Sequence, residues 1–198
     1  MQSLPDLLKR LEAEWERHDL PIARELRPGL PRDHVRGRLD QYGLAAPDEI
    51  LDWWSWHDGG SLSGRLMTPW HEIRTFAECC DLYEMHGEAH DWAESSEPPS
   101  YSLSLFPVIT TGAGGCVTVD TAAKIGEASV SYRYKEVSDA PKEWRMGSLA
   151  ELVDIWISLF ASNSWSKSQE HPRAIDSSLS DADLSRFPSH FVRQGFIL

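Results

Sequence analysis

His57 and Asp58 stand side by side in the run Trp56-His57-Asp58-Gly59, and a histidine next to a carboxylate is a combination that general-base catalysis uses. Adjacent side chains diverge from the backbone, however, and Asp-Gly is a common turn pair, so the run reads as a turn. His86 and His90 are four residues apart with Glu84, Glu88 and Asp91 beside them, a spacing that brings two imidazoles to one side of a helix, as a metal site requires. The zinc-protease arrangement needs a glutamate directly after the first histidine, and here Gly87 stands in that place. A solvated polar segment accounts for these residues, and no metal is expected.

The remaining reactive residue types lack the company that chemistry needs. Cys79 and Cys80 are adjacent, without the two-residue spacing of zinc knuckles and redox motifs. Cys116 lies in a strand-like run and reads as a small core residue. Gly112, Gly114 and Gly115 are followed by no Lys-Ser or Lys-Thr and no helix start, so a hairpin turn explains them better than a phosphate cradle. No serine sits in a nucleophile elbow. The sequence therefore predicts no catalytic residue and no cofactor.

Residues suited to binding are more prominent. Trp53, Trp54 and Trp56 share one short helical pattern and cannot all face a core, so at least one is expected at the surface, as an interface anchor or as a cap over a neighbouring loop. Glu78, Asp81, Glu84, Glu88, Asp91, Glu94 and Glu97 recur mostly three apart and make a negative ridge if the segment is helical. Such a ridge is either a solvated face or a surface that steers a basic partner by long-range attraction. The candidate partner-binding set is accordingly Trp53, Trp56, Asp58, Glu84, Glu88, Asp91 and Glu94.

The 198 residues carry a formal net charge of −12, which repels nucleic-acid phosphates and anionic lipid and attracts basic partners. The charge is unevenly spread. Between Met1 and Asp40 eight basic residues balance eight acidic ones, whereas between Thr75 and Ala123 there are eight acidic residues and no Lys or Arg. Hydrophobic residues at 41% and charged ones at 25% are close to globular averages and exclude a disordered or fibrous chain. Three cysteines are a poor basis for a disulfide framework, no apolar run approaches the ~20 residues of a membrane span, and the amino terminus has no signal-peptide core. A cytoplasmic protein with reduced thiols, bound to neither membrane nor nucleic acid, is the expectation.

Periodicity supplies the elements. Leu4, Leu7, Leu8, Leu11 and Trp15 mark one helix face behind Ser3 as N-cap. Residues 19–30, with Pro21, Pro28 and Gly29, read as a linker. A helix from near Asp33 to Tyr42 and Gly43 buries Val35 and Leu39, and the next starts at Pro47, Asp48 and Glu49 and buries Ile50, Leu51 and Trp54. Leu66, Met67 and Trp70 could begin a sheet, and residues 73–92 are helical in part. Residues 103–109, 116–120 and 129–135 have strand character and loop lengths that suit antiparallel hairpins. Ser148 and Glu151 form a capping box ahead of Leu149, Leu152, Val153, Trp156, Leu159 and Phe160. Beyond Trp165 the composition shifts, and residues 166–198, with Phe187, Phe191 and Phe196, read as an appendage to a domain spanning 1–165.

The order of these signals resembles the SUKH superfamily, which groups a fungal regulator of cell-wall assembly with bacterial proteins that neutralise toxins. The carriers are Leu8, Leu11 and Trp15, the Leu30-Pro31 turn, Leu44 followed by Pro47, Glu49, Ile50, Leu51, Trp54 and Trp56, then His57-Asp58-Gly59, Phe106-Pro107-Val108, Cys116, Asp120 and the closing Ser148, Leu149, Leu152 and Trp156. The resemblance covers residues 4–165 and implies an α+β fold whose central, largely antiparallel sheet is flanked by helices. It implies an immunity-type protein that binds a cognate toxin domain, a basic nuclease for example, with a regulatory or scaffold domain like the fungal relative as the alternative.

Overall fold

A computed structural model describes residues 2–61, 66–93, 102–111, 114–124, 127–133, 145–171 and 173–180, with backbone alone at 88–93, 132–133 and 145–146. Ser3 opens the first helix, α1 (Leu4–Arg17), by accepting the Asp6 amide, and Leu4, Leu7, Leu8, Leu11 and Trp15 are its buried face. The buried Trp15 indole N–H donates to the Met67 carbonyl at 3.0 Å, so this large residue enters the core with its polar atom satisfied. The stretch expected as a linker is partly ordered into a one-turn helix, α2 (Ile22–Glu25), and a short strand, β1 (Leu26–Pro28). Its prolines sit at the cap of α2 and the end of β1, where a missing amide interrupts nothing.

Helices α3 (Arg32–Gln41) and α4 (Asp48–Trp56) follow, and Gly43 takes the left-handed conformation (φ +71°) just past the end of α3. The His57-Asp58-Gly59-Gly60 run then forms a strand, β2 (His57–Gly60), antiparallel to β1 with a register irregularity between Leu26 and Pro28. The turn expected there is not seen. What the Asp-Gly pair supplies instead is the positive φ of Gly59 (+76°), a conformation glycine adopts without steric cost.

The main sheet has five strands in the order β3 (His71–Ile73), β4 (Leu105–Thr111), β5 (Cys116–Asp120), β6 (Val130–Arg133) and β7 (Arg145–Met146), each antiparallel to its neighbour. Val108, Ile109, Val117, Val119 and Val130 are fully buried, the composition expected of central strands. Pro107, with no amide to give the ladder, lies where the β4–β5 register shifts. Helix α5 (Phe76–Ala93) packs along β4, and α6 (Leu149–Ala161), opened by the Ser148–Glu151 capping box, packs on α1. The fold is α+β with antiparallel sheets.

Past residue 165 the chain continues into the same core. A hairpin of β8 (Trp165–Lys167) and β9 (Ile175–Ser177) buries Trp165 and Ile175 in the core cluster, with Leu179 packed against it. The boundary expected at 165/166 thus falls inside a hairpin; Phe187, Phe191 and Phe196 lie outside the described residues. Among the described residues no helix is long and apolar enough to cross a membrane.

Candidate functional site

Trp53 and Trp54 are both fully buried, although they are neighbours on one helix. Helix α4 is covered on two sides. Trp54 meets Phe76 of α5 and Phe106 of β4, with ring centroids 4.9 and 5.7 Å away, while Trp53 packs edge-on to Trp56 at 5.6 Å. Trp53 is therefore a core residue and not the surface anchor expected of it. Trp56 is half-buried, lies 5.8 Å from Trp15, and donates its indole N–H to the Glu12 carboxylate, which closes the gap between α4 and α1. Of the three tryptophans it alone reaches the surface.

His57 and Asp58 face different partners. The His57 ring nitrogens meet the Arg27 carbonyl oxygen at 2.7 Å and Glu12 Oε1 at 3.3 Å, whereas Asp58 Oδ1 accepts the Phe76 amide at 2.7 Å. Asp58 thereby caps the first turn of α5, where a carboxylate also opposes the positive end of the helix dipole. Thr75 and Glu78 complete the cap, since Thr75 Oγ1 accepts the Glu78 amide and Glu78 accepts the Thr75 amide. His57 and Asp58 therefore do not pair with each other, and Asp58 serves the fold.

The acidic repeat lies on α5. At about 100° per residue, positions 81, 84, 88 and 91 fall on one side of that helix, whereas position 78 is turned toward its N-terminal cap. Glu84 accepts from Arg38 at 2.9 Å and from the Tyr42 hydroxyl, and the Arg38 guanidinium lies 4.8 Å over the Tyr42 ring. One member of the expected ridge is thus half neutralised by a clamp between α3 and α5. Burial is the main reason that the Tyr42 hydroxyl is pushed well above its ordinary value, and it stays a donor to Glu84. For Glu88 and Asp91 only the backbone position is described, and Glu94 lies outside the described residues.

Residue-type reasoning overlooked Met85. It is 55% exposed, and its helical position lies about 40° around the axis from 81, beside the acidic positions. Tyr83 on the same helix donates its hydroxyl to the carbonyl of Leu103, the other large exposed apolar residue at 48%. The signal was present in the sequence as an apolar residue directly after Glu84 of the acidic repeat.

The groups with the most altered protonation are enclosed. Cys79, Cys80 and Cys116 are buried thiols, and burial pushes the first two up, which suppresses the reactive thiolate. His71 is wholly buried 5.2 Å from Trp156, and burial pushes its imidazole down to about 3. Thr68 Oγ1 accepts the Trp70 and His71 amides and lies 2.7 Å from His71 Nδ1. Among the described residues no group of three His, Cys, Asp or Glu could hold a metal ion.

A groove of about 670 Å³ opens between the N-terminal ends of α4 and α6 and the β5–β6 connection. Glu49 ties its walls together, accepting Ser129 Oγ at 2.7 Å and the Leu149 amide at 2.9 Å. No linear motif announces it, because its walls come from residues 45–49, from 120–124 and 127–129, and from 147–151. Compared with known proteins, the chain matches no protein-family model and no curated protein.

Proposed function

We propose that this chain is an immunity-type binding protein of the SUKH kind, which neutralises a toxin domain such as a basic nuclease by covering its active site with the outer side of α5. The observation that carries the reading is Met85, an exposed apolar side chain beside the acidic positions of α5. That is the composition of an interface centre, where a flexible thioether fills a partner's pocket and the surrounding charges set approach and orientation. The formal charge of −12 adds long-range attraction for a basic partner. Trp56 contributes a half-buried edge, whereas Trp53 and Asp58 act through the core and the α5 cap. The order of sequence signals shared with toxin-neutralising relatives supports the same reading.

The test is co-expression with the toxin gene adjacent to the gene for this chain. The unaltered protein is expected to protect the cell and to co-purify with the toxin domain at low salt. The double variant Asp81→Lys/Glu88→Lys is expected to lose protection while keeping its thermal transition. Full protection by that variant removes α5 as the covering face. If no complex forms with any neighbouring toxin, the immunity reading fails and a regulatory scaffold role replaces it.

A further inference from the structure

We propose that the groove between α4 and α6 is a second docking site, which takes an arginine or lysine side chain from an extended segment of a protein partner. The inference does not rest on the α5 reading, because the groove is built from other elements. Its volume of about 670 Å³ lies inside the roughly 300–1,000 Å³ of sites that enclose a ligand, enough for one long side chain and its flanking backbone.

Charge decides what kind of side chain. Five carboxylates, those of Asp48, Glu49, Asp120, Glu127 and Glu151, line the groove against the Lys124 ammonium, and the Arg32 guanidinium pairs with Asp48, for a formal balance of −3. Two helix N-termini add about +0.5 each, which leaves roughly −2. Converging helix ends would otherwise suggest a phosphate, but the lining carboxylates repel one, and at α6 Glu49 already accepts the Leu149 amide at 2.9 Å and Ser148 Oγ the Glu151 amide at 3.2 Å. A metal ion is disfavoured too, since no three donors converge among the described residues.

Shape favours a long basic side chain over a compact cation. Ala46, Pro47, Ala123 and Ala128 give the groove small apolar walls, against which an aliphatic stem can lie while its charged head reaches the carboxylates. Glu127 is exposed at the mouth and accepts the Lys124 amide at 3.2 Å, which holds its carboxylate on the β5–β6 connection. An arginine head can engage two carboxylate oxygens at once, so it is the better fit of the two.

The experiment is an amide-resolved NMR titration of the full chain with the acetylated peptide Ala-Arg-Ala-Arg-Ala, its Glu-for-Arg counterpart, and spermidine. The arginine peptide is expected to shift amides within 45–49, 120–124, 127–129 and 147–151, and to do so less as salt rises. Glu127→Lys and Ala128→Arg, one reversing charge at the mouth and one filling the groove, are each expected to weaken binding by about tenfold or more. Their spectra away from the groove report on folding. Asp81→Lys on α5 is expected to leave the affinity unchanged, which separates this site from the α5 face. The proposal is overturned if the shifts map to α5, if the glutamate peptide or spermidine binds as tightly, or if both groove variants bind normally.

Discussion

At the scale of single residues, the charged groups most suggestive of chemistry turn out to be engaged in holding the backbone. Asp58 caps α5 through the Phe76 amide, and Glu84 bridges Arg38 and Tyr42. His71 is a buried group whose altered protonation has a thermodynamic consequence. Its imidazole is held near 3 in the folded chain against an ordinary value of about 6.5, so between those values the unfolded chain binds the extra proton. The contribution is therefore fully present above about pH 6.5 and is lost as pH falls toward 3, with a slope approaching 1.4 kcal/mol per pH unit. Urea unfolding of the native chain and of His71→Gln is expected to show the native chain losing roughly 2 kcal/mol more between pH 6 and pH 4. Equal losses in the two proteins would mean that the imidazole becomes protonated without unfolding.

At the scale of elements, α4 controls how the others meet. The Leu30 amide donates to the Trp54 carbonyl at 2.7 Å, which brings the Gly29 backbone against the end of that helix. A Cβ at Gly29 would overlap the Ser55 carbonyl oxygen and press on that of Trp56, both rigid backbone atoms. Gly29→Ala is expected to destabilise the protein by about 1–3 kcal/mol, as overpacking at a closed contact does. In contrast, Gly37→Ala on α3, where an added Cβ meets nothing, is expected to be neutral or slightly stabilising. Comparable thermal transitions for the two variants would contradict the close approach. The same closeness explains why two adjacent tryptophans are both enclosed: one meets α5 and β4, the other the α1 side of α4.

At the scale of the whole molecule, the β8–β9 hairpin closes the core next to α6. Trp165 lies with its ring 5.4 Å from Phe160 and 6.1 Å from Trp70, and is fully buried. Truncation after residue 164 is expected to lower stability by about 3–5 kcal/mol, the range for removing a buried large aromatic. A chain ending at 164 that unfolds at the native midpoint would restore the boundary expected from composition. Charge also acts at this scale, because exposed charges are screened over about 8 Å at physiological ionic strength. Partner capture driven by the formal charge of −12 should therefore slow markedly as salt is added.

The sequence by itself determined what depends on neighbours along the chain. The spacing of Leu4 to Trp15, the Ser148–Glu151 box and the glycine after α3 fix helices at their observed places, because caps and 3.6-residue periodicity are local physics. The antiparallel strands were also visible, since β-branched runs joined by short glycine-rich loops leave few other pairings. Only the tertiary structure decided which side chains face outward. Trp53 is hidden because α4 is covered on more than one side, Asp58 is consumed by a helix eighteen residues further along whose start it caps, and Met85 stands exposed because α5 turns that side from the sheet. The groove belongs to the same class: its walls come from three segments up to about a hundred residues apart, and no periodicity records a distance that folding alone brings to a few ångströms.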